Sequence, residues 1–347
     1  MTIGVWILGD QLSLNQSALM RSSNERNQTR AIMIESPSHV GKRPYHRQKV
    51  VLLWSAMRHF RDALRNRRWK CDYYSHAEDF ESTLKNWVSD HSISELRVME
   101  PNDRPFMMAL SKIEIGCPIE VLPNNQFLWT TDEFREWASG RKRLVLEYFY
   151  REGRRKFDVL MDGPDPAGGV WNYDKQNREP PREDLEPPSP VWFEPDKMTQ
   201  EVVERVELLN IPLFGESQPF RWGVTREHAQ AVLEHFIKEG FSFFGPQEDA
   251  MRIGHPYMWH SLLSPYLNIG LIHPSEVLER VQKEYEKGGL ELQSVEGFVR
   301  QILGWREYLR GVYHFVQEDY AESNYFQCDG TIPSFFWTGE TKMRCLQ

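Results

Sequence analysis

Between Ile3 and Leu122, short apolar and β-branched runs alternate with longer stretches whose apolar residues recur at helical spacing. The runs predict strands at Gly4–Leu8, Ala31–Glu35, Lys70–Tyr74, Glu95–Met99 and Ile119–Leu122, with helices near Tyr45–Asn66, Ala77–Val88 and Arg104–Ile115. This rhythm predicts a Rossmann-like parallel five-stranded sheet with helices on its faces. Ligands of such sheets bind beyond the carboxyl ends of the strands. Gly9, Asp10 and Gln11 fall there on the first strand, Glu35 and Ser36 on the second. An isolated Gly-Asp-Gln is equally well a strand-ending turn; the functional reading is a polar edge that hydrogen-bonds a flat heterocycle. No GxGxxG follows the first strand, which argues against a nicotinamide dinucleotide site.

A further helix is expected at Glu147–Met161, with Arg151, Arg154, Arg155 and Lys156 on its polar side. From Asp162 to Pro195 the chain then carries eight prolines and the pair Gly168-Gly169, interspersed with Trp171, Tyr173, Trp192 and Phe193. Proline density predicts an extended connector, and its aromatics predict that it lies on a surface. Beyond it the periodicity is helical: Thr199–Leu209, Thr225–Glu239, Gln247–Arg252, Ser261–Gly270, Pro274–Lys287 and Glu296–Gly311. The expected organisation is an α/β domain at 1–130, a helix and linker at 131–198, and an all-α domain at 199–347.

Composition narrows the class. The 347 residues are 40% hydrophobic and 27% charged, with a net charge of −8, so the chain reads as globular and not as a general polycation. Local basic clusters (Arg61 to Lys70, Arg141 to Arg143, Arg151 to Lys156) are either solvated helix faces or parts of a groove. No apolar run approaches the roughly 20 residues of a membrane span. The apolar part of MTIGVWILGDQL is short for a signal peptide, so a cytoplasmic location is expected. Cys71, Cys117, Cys328 and Cys345 show no CxxC spacing and read as thiols of a reducing compartment.

Two stretches carry candidate chemistry. In WHSLLSPYLNIGLI (259–272), Ser261 and Ser264 sit three apart ahead of an apolar run, which places both hydroxyls at a helix's opening turn, where an anion such as a diphosphate is attracted. An N-capped core helix is the competing reading. In EGFVRQILGWREYLRG (296–311), Phe298, Ile302, Trp305 and Leu309 form an amphipathic stripe.

With LGDQL at 8–12, SAMRHF at 55–60, EYFYREGRRK at 147–156 and GGVWNYDKQNR at 168–178, these stretches resemble, in order, the bacterial photolyase-related proteins. That branch of photolyases and cryptochromes carries an iron–sulfur cluster and repairs (6-4) photoproducts. The resemblance implies FAD, with its diphosphate at Ser261, Leu262, Leu263 and Ser264. It places Trp305 and Glu307 near the flavin or lesion pocket and Trp337 close to the flavin for electron transfer. It also implies a ribityl-lumazine antenna at Gly9, Asp10, Gln11 and Glu35, and damaged DNA as the partner. Cys345 matches the first of four cysteines that hold a [4Fe–4S] cluster in the family. The other three lie further along in relatives, as does much of the flavin pocket, so the all-α domain is expected to be incomplete and the cluster not to assemble. Two alternatives stand beside repair: a cryptochrome-like blue-light sensor acting through a signalling partner, and an inactive truncated relic or ligand-binding module.

Overall fold

The computed structural model describes residues 2–177, 179–316, 320 and 322–344. Five parallel strands form one sheet: β1 (Thr2–Trp6), β2 (Thr29–Ile34), β3 (Lys70–Tyr74), β4 (Ile93–Met99) and β5 (Ile119–Leu122), in the order β3-β2-β1-β4-β5. The order reverses at β1, which pairs with both β2 and β4. Alternate residues of β1 and β2 feed two apolar layers. Val5, Ile7, Ala31 and Met33 join one core; Trp6, Leu8, Ile32 and Ile34 join the other. Burial on both faces is why these strands read as continuous apolar runs.

Helices α1 (Ser17–Arg21), α2 (Pro37–Val40), α3 (Arg47–Asn66), α4 (Phe80–Asp90) and α5 (Arg104–Leu110) flank the sheet. Short polar caps set most of the starts: Ser36 accepts from the His39 N–H, Asp79 from Ser82, Asp103 from Phe106. Next come α6 (Thr131–Ala138), opened by a Thr130/Glu133 capping box, and α7 (Leu146–Phe157). Asp158, at φ 52°, ends α7 in the left-handed region. Arg154, fully buried, then satisfies the turn that follows by donating to the carbonyls of Val159, Leu160 and Trp171. The basic run of α7 is largely spent in this way. Arg151 pairs with Glu147, Lys156 with Glu133, and Arg155 lies over the Trp171 ring.

The proline-rich connector holds a two-residue hairpin, β6 (Met161–Asp162) with β7 (Asp165–Pro166), and is otherwise without long elements. The helical region follows: α8 (Lys197–Glu207), α9 (Arg226–His235), α10 (Phe241–Gln247), α11 (Ser264–Asn268), α12 (Pro274–Glu286), α13 (Leu292–Val299), α14 (Glu307–Phe315) and α15 (Phe335–Thr338). π-helical turns at Phe236–Gly240 and Arg300–Arg306 join α9 to α10 and α13 to α14.

Two helical expectations are corrected. Residues 248–252 are turn and coil, because the helix there is the earlier Phe241–Gln247, buried through Phe241 and Phe244. The helix expected at Ser261–Gly270 spans only Ser264–Asn268, because Leu262 adopts a left-handed φ of 53° and Pro265 occupies the first turn. A single core runs from Val5 and Ile7 through Val203, Phe220 and Val277 to Leu303, so the sheet and the helical region share their interior.

Candidate functional site

Beyond the carboxyl ends of the strands lies a cavity of about 430 Å³, within the range of small-molecule sites. Leu8, Gly9 and Asp10 follow β1 into it, Ser36 follows β2, and Asp103 follows β4. Leu53, Trp54 and Met57 of α3 form one wall. His39, Phe80 and Phe106 form another, with ring centroids 5.1–5.7 Å apart. The helical region contributes the roof through Asn268 and Ile269. That roof is fixed by backbone: the Leu12 N–H donates to the Ile269 carbonyl at 2.9 Å, and the Gln126 amide donates to the carbonyls of Leu267 and Asn268, both at 3.1 Å. Gly270 permits this approach. Its φ is +82°, and a Cβ there would lie 3.0 Å from the Leu12 nitrogen.

Two titratable groups face this space in neutral-leaning states. Burial pushes the Asp10 carboxyl up to about 6, reinforced by the charge of Asp103 and opposed by its own backbone N–H and by Asn102. Asn102 in turn accepts from Arg310 of α14 at 3.2 Å, which links the cavity edge to the helical region. Burial holds His39 below its ordinary value. The Asp10 shift has a sign that can be measured. The folded chain keeps a proton that the unfolded chain releases near 3.8, so stability falls as pH rises from about 4 to about 6. Asp10→Asn should therefore match the natural chain near pH 4. At pH 8 it should exceed it by on the order of 2–3 kcal/mol in urea unfolding. Equal stability at both pH values would refute this account of Asp10.

Of the expected antenna residues, Gly9 and Asp10 line the cavity, whereas Gln11 and Glu35 do not. Gln11 is fully buried and donates to the carbonyls of Met99 (2.9 Å) and Glu100 (3.3 Å), tying the end of β1 to the end of β4. Glu35, also fully buried, accepts from Arg58 (2.7 and 3.2 Å), Arg205 (2.7 Å) and Tyr73 (2.5 Å). It joins β2 and β3 to α3 and α8, and its lone pairs are engaged there.

The expected diphosphate residues are also placed. The Ser261 hydroxyl accepts from the Leu263 N–H at 3.4 Å, Leu263 is buried, and Ser264 is exposed at the start of the five-residue α11. Ser261 and Leu262 border a recess of about 20 Å³ with Trp192, Trp222 and Tyr266. That is room for about one water, not a flavin, so among the described residues these four do not enclose a flavin seat. Trp305 is 42% exposed. Its near neighbour Glu307 is buried and accepts from the N–H groups of Leu128 (2.9 Å) and Trp129 (3.0 Å). Trp337 lies in α15, with its side chain outside what the structure describes, and Cys345 falls outside the described residues. Among the described residues no three His, Cys, Asp or Glu side chains gather as a metal site, and no helix is long and apolar enough to cross a membrane.

The model of the family described as deoxyribodipyrimidine photo-lyase-related protein matches residues 5–222. The chain is also 39% identical to the (6-4) photolyase of Agrobacterium fabrum, over 99% of its own length and 68% of that protein's. It belongs to the photolyase-related family. Solved structures agree on the fold. A bacterial class III photolyase from Agrobacterium tumefaciens matches with a TM-score of 0.59 at 18% identity, and a Synechocystis cryptochrome with 0.58 at 13%. Each match covers 90% of this chain, which spans 59% and 61% of those two chains respectively. In this photolyase-related chain the cavity residues that sequence reasoning missed, notably His39, Trp54, Met57 and Phe106, gave no motif signal. Only Ser36 was marked, by its place at a strand end.

Proposed function

We propose that this chain serves light-driven, flavin-dependent repair of (6-4) pyrimidine photoproducts in DNA. In this reading the α/β region holds a light-harvesting ring such as a ribityl-lumazine, and the helical region takes part in the FAD and lesion sites. The observation that carries it is the 39% identity, across 99% of the chain, to a protein that performs (6-4) photolyase work. The ring-walled cavity at the point where strand order reverses supports the antenna role, since flat ligands bind open α/β sheets at that crevice. Gly9 and Asp10 would meet such a ring directly; Gln11 and Glu35 would act by fixing the strand ends. Trp305 and Ser264 are the exposed members of the expected flavin set, and Glu307 would contribute by positioning. The residues described around Ser261 do not fit a flavin by themselves, so no chemical step is assigned to them.

Purified chain, supplied with FAD, should remove (6-4) lesions from an oligonucleotide under blue light and leave them intact in the dark. Absence of light-dependent lesion loss would sink repair by this chain. Bound pigment without any preference for lesion over undamaged DNA would favour the cryptochrome-like sensor.

A further inference from the structure

The cavity has two chemically distinct zones. Its depth is apolar and aromatic, built by Leu53, Trp54, Met57, Phe80 and Phe106. Its rim carries Lys42 and Arg43, from the turn after α2, and Lys49, from the first turn of α3. Lys42 and Lys49 are exposed, and neither has a carboxylate partner among the described residues; the Lys49 ammonium stands 4.6 Å from the Tyr45 ring centroid. Arg43 reaches Asp103 only loosely, at 3.5 Å, with both side chains about half exposed. Three cations thus face one ionised carboxylate and the sheltered Asp10, in a chain whose net charge is −8. A rim of one sign above a low-dielectric wall concentrates opposite charge. An unphosphorylated polyol tail would leave these cations without partners, whereas a phosphate monoester would meet them all.

We infer that the cavity takes a flat heteroaromatic ring carrying a phosphorylated sugar or sugar-alcohol tail, with the ring in the aromatic depth and the phosphate on Lys42, Arg43 and Lys49. This rests on reading the cavity as a chromophore site and adds the chemistry of the tail. Lysine suits the role as a point-charge phosphate binder at an exposed position.

Riboflavin and its 5′-phosphate share one ring and differ only in the tail, so they isolate the tail's contribution. Binding of each to the full chain, followed by flavin fluorescence at low ionic strength, should favour the phosphate form at least tenfold, about 1.4 kcal/mol. The preference should shrink as salt rises. The double variant Lys42→Ala/Lys49→Ala should abolish the preference and leave riboflavin binding unchanged. Ala109→Trp, at an exposed position on the same rim, should block both ligands. Equal affinity for the two flavins in the natural chain overturns the tail assignment and leaves the chromophore reading standing. Phosphate-form binding that survives Ala109→Trp places the ligand elsewhere and also overturns it. If neither ring binds, the tail assignment and the chromophore reading fall together.

Discussion

Glu307→Ala should destabilise the chain by about 3–5 kcal/mol, the range for breaking a buried, hydrogen-bonded ion pair by removing one partner. The carboxylate is almost fully buried, and burial pushes its pKa up against the pull of Arg306, the Leu128 and Trp129 amides and Arg310. One oxygen accepts both amides and the other accepts from Arg306 at 3.0 Å. Alanine would strand two backbone donors and leave Arg306 and Arg310 facing each other across the Phe127 ring, 3.8 and 4.5 Å from its centroid. Glu307→Gln retains an acceptor for the amides but removes the negative charge, so its loss should be smaller. Urea unfolding of the three proteins tests this. A loss under about 1 kcal/mol for the alanine variant would mean that the strand-to-helix junction at 124–130 does not depend on α14.

A loss of similar size, about 3–5 kcal/mol, is expected for Glu35→Ala. Glu35 is the sole acid among its direct partners Arg58, Arg205 and Tyr73. The two arginines are not equivalent. Glu35 holds Arg58 above its ordinary value despite burial, whereas burial and the neighbouring Arg58 push Arg205 down. Arg205 is therefore the surplus cation, and Arg205→Met should cost far less than Glu35→Ala, because the Arg58 fork on Glu35 survives it. Thermal melting of both variants at matched pH and salt decides the matter. If Arg205→Met melts as early as Glu35→Ala, the pairing between α8 and the sheet dominates, and the asymmetry argued here is wrong.

The sheet was legible because both of its faces are apolar. Lys70–Tyr74 and Ile119–Leu122 fall where the pattern puts them. β1 ends at Trp6 instead of Leu8, because Ile7 and Leu8 stay buried after the ladder stops, and hydropathy cannot mark that boundary. Glu35 was legible in position but not in direction. It shares its period-two parity with Ala31 and Met33, which pack in the same core as α3, and that parity turns its carboxylate toward Arg58 and away from the cavity lining. The π-helical turn through Arg300–Arg306 leaves no mark on the sequence, since one extra residue in a turn hardly alters an apolar stripe; across it Trp305 is exposed while Glu307 is buried. At Ser261 the serine spacing pointed to a helix start that the left-handed Leu262 and Pro265 displace. The cavity walls were illegible because His39, Trp54 and Phe106 converge only through the tertiary fold.

The roof of the cavity belongs to the helical region, although its floor belongs to the sheet. A ring held there touches both, so it acts as a rivet between two parts that otherwise meet through protein contacts alone. Its binding energy adds to the cohesion of the pair. Its escape requires the mouth to open or the seam at Leu12, Gln126 and Ile269 to part. The lifetime of the bound pigment thus becomes a clock for how often the two halves of the molecule breathe.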